Sequence, residues 1–235
     1  MSAKKSAAEE YLNKIHELNT HTKAPKEIKD TDFFTIAKER QSVRHYDPHF
    51  KMDEKDIREI LELATLAPSS SNLQSWRFLV VQDEAAKEEL LPIANNQKQI
   101  VDASIVIAVL GDKQAYKNAE KIYGEVVKKG RMTEETKSFY VNSIVENYGK
   151  FSNEQATRVA MIDGGLVAMQ LMLAAKAKGF DTVPIGGFHP QKFVEAFRVP
   201  ENLEPVMLIC VGKAVQAGFE KVRLPLDDVL TWNKF

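Results

Sequence analysis

The sequence is poor in reactive sulfur and imidazole. One cysteine and five dispersed histidines exclude a disulfide framework and a cysteine-rich metal cluster. The cysteine, Cys210, sits in the apolar run EPVMLICVGKA, where a thiol acts as a small hydrophobe. His45 and His49 are four apart, but Pro48 breaks the helix that would align them, so no metal site is expected. No G-x-x-x-x-G-K loop and no G-x-G-x-x-G turn is present, which removes the P-loop and Rossmann nucleotide sites. H-E-x-x-H and G-x-S-x-G are also missing, and hydrolytic readings lose their footing with them. Charge of one sign is lacking too: 32 Lys and Arg against 33 Asp and Glu give a net charge of −1, so no basic field for nucleic acid or an anionic membrane surface exists, only room for a local cationic pocket. No apolar run approaches the roughly eighteen residues of a membrane span. The opening MSAKKSAAEEYLNKIHEL carries charges where a signal peptide needs an apolar stretch, so a cytoplasmic location is expected.

What is present is a chain of 235 residues, 44% hydrophobic and 28% charged, long enough to bury a full core. Tyr11, Leu12, Ile15 and Leu18 fall at helical spacing over 7–18, and the polar, proline-containing NTHTKAPKEIKD follows. Residues 1–30 therefore form an appended helix and tether, ahead of one domain over 31–235. Asp32 is placed to cap a helix to about Gln41, and Asp53 another that ends before Pro68. Strands are predicted at 77–81, 104–110, 182–185 and 205–211, and helices at 113–129, 134–148 and 153–178. The last helix is apolar around most of its circumference, and Gly164, Gly165, Ala168, Ala174 and Ala175 would admit a close neighbour. It is either a dimer spine or an internal core helix.

Four stretches carry binding chemistry, and each has an ordinary structural reading beside it. In RQSVRHYD, Arg40 and Arg44 lie four apart at a helix end, with Gln41 and Ser42 between them. A phosphate there would turn like-charge repulsion into charge-assisted contacts, but a solvated basic helix end explains the same spacing. In EKVRLP, Lys221 and Arg223 are two apart in an extended segment and point the same way, on a binding face or a wet surface. In TVPIGGF, Gly186 and Gly187 follow a short strand and bring backbone close to a flat ligand, or simply turn the chain. In APSSSNLQSW, small hydrogen-bonding residues separate a helix from a strand, either to bind a ligand or to stop the helix.

Taken together and in this order, AKERQSVRHYD, ATLAPSSSNLQSWRFLVV, NNQKQIVDASIVIAVLGD, MIDGGLVAMQLMLAAKAKGFDTVPIGGF, PVMLICVGKA and EKVRLPLDDVLTW resemble the FMN-dependent nitroreductase family, in its branch of short bacterial NAD(P)H-dependent oxidoreductases. The resemblance runs from about Asp32 to the C-terminus. It implies an α+β fold, a mixed and mainly antiparallel sheet flanked by helices, in an intertwined homodimer with FMN at the subunit interface. It assigns Arg40, Ser42, Lys221 and Arg223 to the FMN phosphate and ribityl chain, Arg44 and Asn96 to the polar edge of the flavin, and counts Gln41 and, near the flavin, Gln99 among the cofactor-binding residues. Pro184, Ile185, Gly186 and Gly187 would lie against the ring, with the Gly187 N–H facing N5. Pro68, Ser69, Ser70 and Asn72 would reach across to the cofactor held by the other subunit.

Three positions depart from the family pattern. Ser75 replaces the proline of Gln-Pro-Trp, which removes one source of loop rigidity; Gly186 stands where some relatives carry glutamate, and Gln99 where some carry lysine. The implied activity is hydride transfer from NAD(P)H through FMN to a nitroaromatic, quinone or similar electron-poor acceptor, by a ping-pong route. The cofactor carries the chemistry, so no protein acid, base or nucleophile is required. Alternatives are a related flavoenzyme with a dedicated task, such as dehalogenation, enone reduction or flavin breakdown, and an FMN-binding protein without turnover.

Overall fold

The computed structural model describes residues 24–25 and 30–235, so the helix expected at 7–18 lies outside the described residues. Four strands, β1 (Trp76–Val81), β2 (Ile105–Asp112), β3 (Asp181–Ile185) and β4 (Leu203–Gly212), build one sheet in the order β1-β2-β4-β3. All three pairings are antiparallel. The parallel element is an isolated bridge from Ser42 to Thr182 on the outer side of β3. The helices are α1 (Phe33–Glu39), α2 (Glu54–Ala64), α3 (Glu84–Ile93), α4 (Gln99–Asp102), α5 (Ala119–Lys128), α6 (Glu134–Gly149), α7 (Asn153–Ala177) and α8 (Pro190–Ala196). The fold is α+β.

Alternation along β2 divides the core. Ile105, Ile107 and Val109 pack with Val167 and Leu171 of α7 and Ile57 and Ile60 of α2, while Val106, Ala108 and Leu110 pack with Leu90 and Ile93 of α3 and Phe193 of α8. A strand covered on both faces needs an unbroken apolar run, and IVIAVLGD supplies one. Pro184 is tolerated because β3 is an edge strand. Cys210 lies in the second cluster with its thiol pushed up by burial, as expected of a packing residue.

Helix α7 begins with a capping box between Ser152 and Gln155 and lies across β2 and β4. Gly164 permits that approach, since a Cβ there would meet Val206 Cγ2 at 2.6 Å. The internal-core reading of this helix holds. Gly164, Ala168, Ala174 and Ala175 are buried within the subunit, whereas Met161, Ile162, Leu166 and Met169 form an exposed apolar face. Contrary to the sequence expectation of no such run, α7 is by length and composition apolar enough to cross a membrane, but its packing against the sheet makes it a core helix.

The sequence-predicted boundaries shift locally. The helix capped by Asp32 ends at Glu39, because Arg40 is already extended at φ −58° and ψ 123°. Asp32 does cap it, accepting from the N–H groups of Phe34 and Thr35. Asp53 occupies the N-cap position of α2 without a side-chain cap bond. The helix expected at 113–129 starts as a 3-10 turn at Ala115–Asn118 and becomes α-helical only at Ala119. Sequence patterning missed α3, α4 and α8.

Candidate flavin site

The extended segment after α1 is threaded between β3 and the C-terminal chain. Val43 N–H donates to the Thr182 carbonyl at 3.0 Å, and Val215 N–H donates to the His45 carbonyl at 3.0 Å. Gly218 crosses so closely that a Cβ there would meet the Ser42 carbonyl oxygen at 2.7 Å. This crossing brings the C-terminal cations to Arg40. Lys221 donates to the Ala37 carbonyl at 3.0 Å, fixing its ammonium at the end of α1. Burial, and then the charge of Arg223, holds the Arg40 guanidinium below its ordinary value; burial, followed by Arg40 and Arg223, does the same to Lys221. Arg40 Nε is buried without a hydrogen-bond partner. Three crowded cations and an orphaned donor have the chemistry that could hold a phosphate dianion.

Ser42 and Arg44 continue from Arg40. Arg44 donates to the Ser42 carbonyl at 3.3 Å, and its guanidinium sits 5.6 Å from the centre of the Phe219 ring. Gln41 instead lines a separate recess of about 190 Å³ with Glu39, Lys176 and Asp181. An extended backbone turns alternate side chains to opposite sides, which separates it from Arg40 and Ser42.

Beyond Ile185, Gly186 and Gly187 are exposed, and a Cβ at either would meet nothing within 4 Å. Neither has a positive φ. The fold itself therefore does not demand glycine here, and what glycine provides is bare backbone with open space above it, as a flat ligand requires. The carbonyl of Gly187 is fixed by Asn95 Nδ2 at 2.8 Å and Gln97 Nε2 at 3.0 Å. Gln99, buried, donates to Gln97 Oε1 at 2.9 Å. Gln99 thus supports the glycine turn through Gln97 rather than presenting its own side chain at the surface. Asn96 is exposed beside them, in a left-handed turn with φ 55° that asparagine tolerates.

The serine stretch is held by a different set of elements. Ser70 donates from its N–H at 3.0 Å and from Oγ at 2.9 Å to Asp163 Oδ1, and Ser75 Oγ donates to Oδ2 at 2.9 Å. Gln74 N–H donates to Ser69 Oγ at 3.0 Å, and Tyr123 OH donates to the Ser71 carbonyl at 3.1 Å. Ser71 Oγ and Tyr148 OH share a hydrogen bond of 2.8 Å. Pro68 is exposed at the loop entrance. Three non-glycine residues are left-handed within four positions: Ser71 at φ 48°, Asn72 at 52° and Gln74 at 52°. Such strain persists only where the surroundings over-determine it. Ser75 therefore restores by hydrogen bonding to Asp163 the rigidity that a proline would have supplied through its ring.

The predicted residues thus fall into three groups. Arg40, Ser42, Arg44, Lys221 and Arg223 meet where the C-terminal chain crosses the α1–β3 edge, and the glycine turn that ends β3 lies beside Asn96 and is fixed by Asn95 and Gln97. The serine loop is fastened to α5, α6 and α7. Sequence reasoning missed Asp163, Asn95, Gln97 and Phe219. Only Asp163 left a signal, a carboxylate inside an apolar helix, which is rarely buried unless it is bonded.

Residues 37–213 match the Nitroreductase family. YodC of Bacillus subtilis (strain 168), named as a candidate NAD(P)H nitroreductase, is 45% identical over 203 residues, covering 86% of this chain and 99% of its own. YdgI of the same strain, also so named, is 43% identical over 208 residues, 88% of this chain and 100% of its own. A candidate nitroreductase from Exiguobacterium sibiricum 255-15, crystallised in complex with FMN, superposes with a TM-score of 0.83 at 44% identity, covering 88% of this chain and 100% of that one. The chain belongs to the nitroreductase family.

Proposed function

We propose that this protein is an FMN-dependent oxidoreductase that takes electrons from NAD(P)H and delivers them to a nitroaromatic, quinone or similar electron-poor acceptor. The observation that carries this reading is the convergence of Arg40, Lys221 and Arg223 around a buried, unpartnered Arg40 Nε. The residues fit FMN: three cations and Ser42 match a phosphate and ribityl chain, and the open backbone at Gly186 and Gly187 matches the face of a flat ring. When bound, FMN supplies a carrier at N5 that accepts a hydride from one substrate and gives it to the next.

The chain's own residues bind and orient. Arg40, Lys221 and Arg223 neutralise the phosphate, so the seat discriminates FMN from riboflavin. Arg44 places positive charge toward the flavin's pyrimidine edge and favours its anionic reduced form. Asn95 and Gln97, the latter backed by Gln99, hold the Gly187 carbonyl and so steady the bare backbone against which the flavin ring would lie. Asn96 offers a donor and an acceptor to the ring's polar edge. No proton is assigned to a protein acid or base.

The assembly we infer is a homodimer in which Pro68, Ser69, Ser70 and Asn72 of one subunit reach the cofactor seated on its partner. The exposed face of α7, at Met161, Ile162, Leu166 and Met169, supports this, as do exposed Leu66 and the apolar C-terminal chain at Leu224, Leu226, Val229 and Trp232. Exposed apolar faces of this kind mark interaction sites. Gly165 lies on this side with open space beyond it.

Since the chain has no Rossmann or P-loop fingerprint, both substrates are read as using one slot in turn. Initial rates at several fixed quinone concentrations should give parallel double-reciprocal lines against NAD(P)H. Intersecting lines would require both substrates bound together and would defeat the shared slot.

A further inference from the structure

An open pocket of about 580 Å³ lies between the strained serine loop, β1 and α5, away from the phosphate seat. Its apolar lining is Trp76, Ile122 and Val126; its cationic lining is Arg77, Lys121, Lys129 and Arg131. Arg77 is engaged by Asp112 at 2.9 Å. Among the described residues, Lys121, Lys129 and Arg131 make no ion pair within 4.0 Å. The one carboxylate in the lining, Glu125, is bound by Lys128 at 2.7 Å. Lys128 first, then Lys129 and Lys121, hold that carboxyl below its usual range, so it is over-neutralised rather than available to cancel its neighbours.

An excess of positive charge around an apolar patch in a chain of net charge −1 calls for a ligand that is both flat and anionic. Asn72 and Gln74, two of the three left-handed residues of the serine loop, line the same pocket, so it opens beside the loop assigned to the partner's flavin. A nicotinamide held at that flavin leaves the rest of the dinucleotide to be bound, and the sequence contains no motif that would bind it. We propose that this pocket takes the adenosine half of NAD(P)H, with the base on Trp76, Ile122 and Val126 and the phosphates on Lys121, Lys129 and Arg131. The proposal rests on the reading of the protein as an NAD(P)H-using flavoenzyme and adds the donor's second anchor. Because the serine loop reaches the partner's flavin, the nucleotide would bridge the two subunits.

The test uses the holoprotein and adenosine 2′,5′-bisphosphate, a probe that carries the base and phosphates but no nicotinamide. Two independent variants, Lys121→Glu and the pair Lys129→Glu with Arg131→Glu, change exposed side chains, and their flavin content reports that the fold and cofactor site are intact. The wild type should bind the bisphosphate, and each variant should bind it at least about tenfold more weakly, the loss of one or more charge-assisted contacts. The KM for NADPH should rise in parallel, with kcat and the KM for an uncharged quinone unchanged. Equal binding of the bisphosphate by wild type and variants, or no binding by the wild type, overturns the proposal. A KM rise confined to nitrobenzoate, an anionic acceptor, assigns the pocket to acceptors and overturns it as well. A wild-type flavin that neither pyridine nucleotide reduces would instead sink the oxidoreductase reading, and direct binding of the bisphosphate would still decide the pocket.

Discussion

Arg40 shows how single residues divide their work here. Its Nε is buried and unpartnered, and burial, followed by the charge of Arg223, holds its guanidinium below its ordinary value. That arrangement costs stability in the free chain and is relieved by an anion, so it is a ligand seat more readily than a structural contact. Arg223 is the most exposed of the three and the safest to remove. Arg223→Ala should weaken FMN by about tenfold to a hundredfold and leave riboflavin nearly unaffected, since only FMN presents a phosphate to that charge. Titration of the apoprotein with both flavins measures it, and an equal loss for both would remove the phosphate role. Gln41 belongs to the opposite side of the same extended segment and should tolerate alanine in this titration.

At the scale of elements, the serine loop and α7 behave as one unit joined by Asp163. Two hydroxyls and a backbone N–H converge on a buried carboxylate, and they hold a loop with three left-handed residues in shape. Asp163→Ala would leave these donors buried without an acceptor, at a cost of about 2–4 kcal/mol. For a chain of this size that is a fall in Tm of roughly 5–15 °C. Asp163→Asn keeps an acceptor oxygen and should lose less, while FMN affinity should fall in both variants in proportion to loop disorder. Thermal unfolding with FMN titration checks this; a wild-type Tm in the alanine variant would show that the carboxylate holds nothing. The strands and long helices were legible because burial on two faces writes an unbroken apolar run, as in β2, and because α7 carries a capping box. Helix α3 was not, since its amphipathic signal is short and carries Pro92, and α8 was hidden behind Pro190. The family was legible through the order of its motifs. The Asn95–Gln97–Gly187 contacts and the Asp163 anchor were not, because they join residues about ninety positions apart and no local pattern encodes such a meeting.

At the scale of the molecule, the proposed dimer rests on apolar surface that a single subunit leaves exposed. The face of α7 and the C-terminal chain carry it. Charges placed there, as in Ile162→Glu with Leu166→Glu, should yield a monomer by sedimentation that has lost most of its FMN, because the serine loop would no longer reach a partner. A monomer holding FMN at full affinity would mean that each site is complete within one chain. The central claim is electron transfer from a pyridine nucleotide to a bound flavin, and anaerobic titration of the purified holoprotein tests it most directly. Stoichiometric NADH or NADPH should bleach the flavin's visible absorbance with no acceptor present, and a quinone added afterwards should restore it. A flavin that stays oxidised in excess of both nucleotides, yet is reduced by dithionite, would contradict the account and leave a flavin-binding protein without this activity.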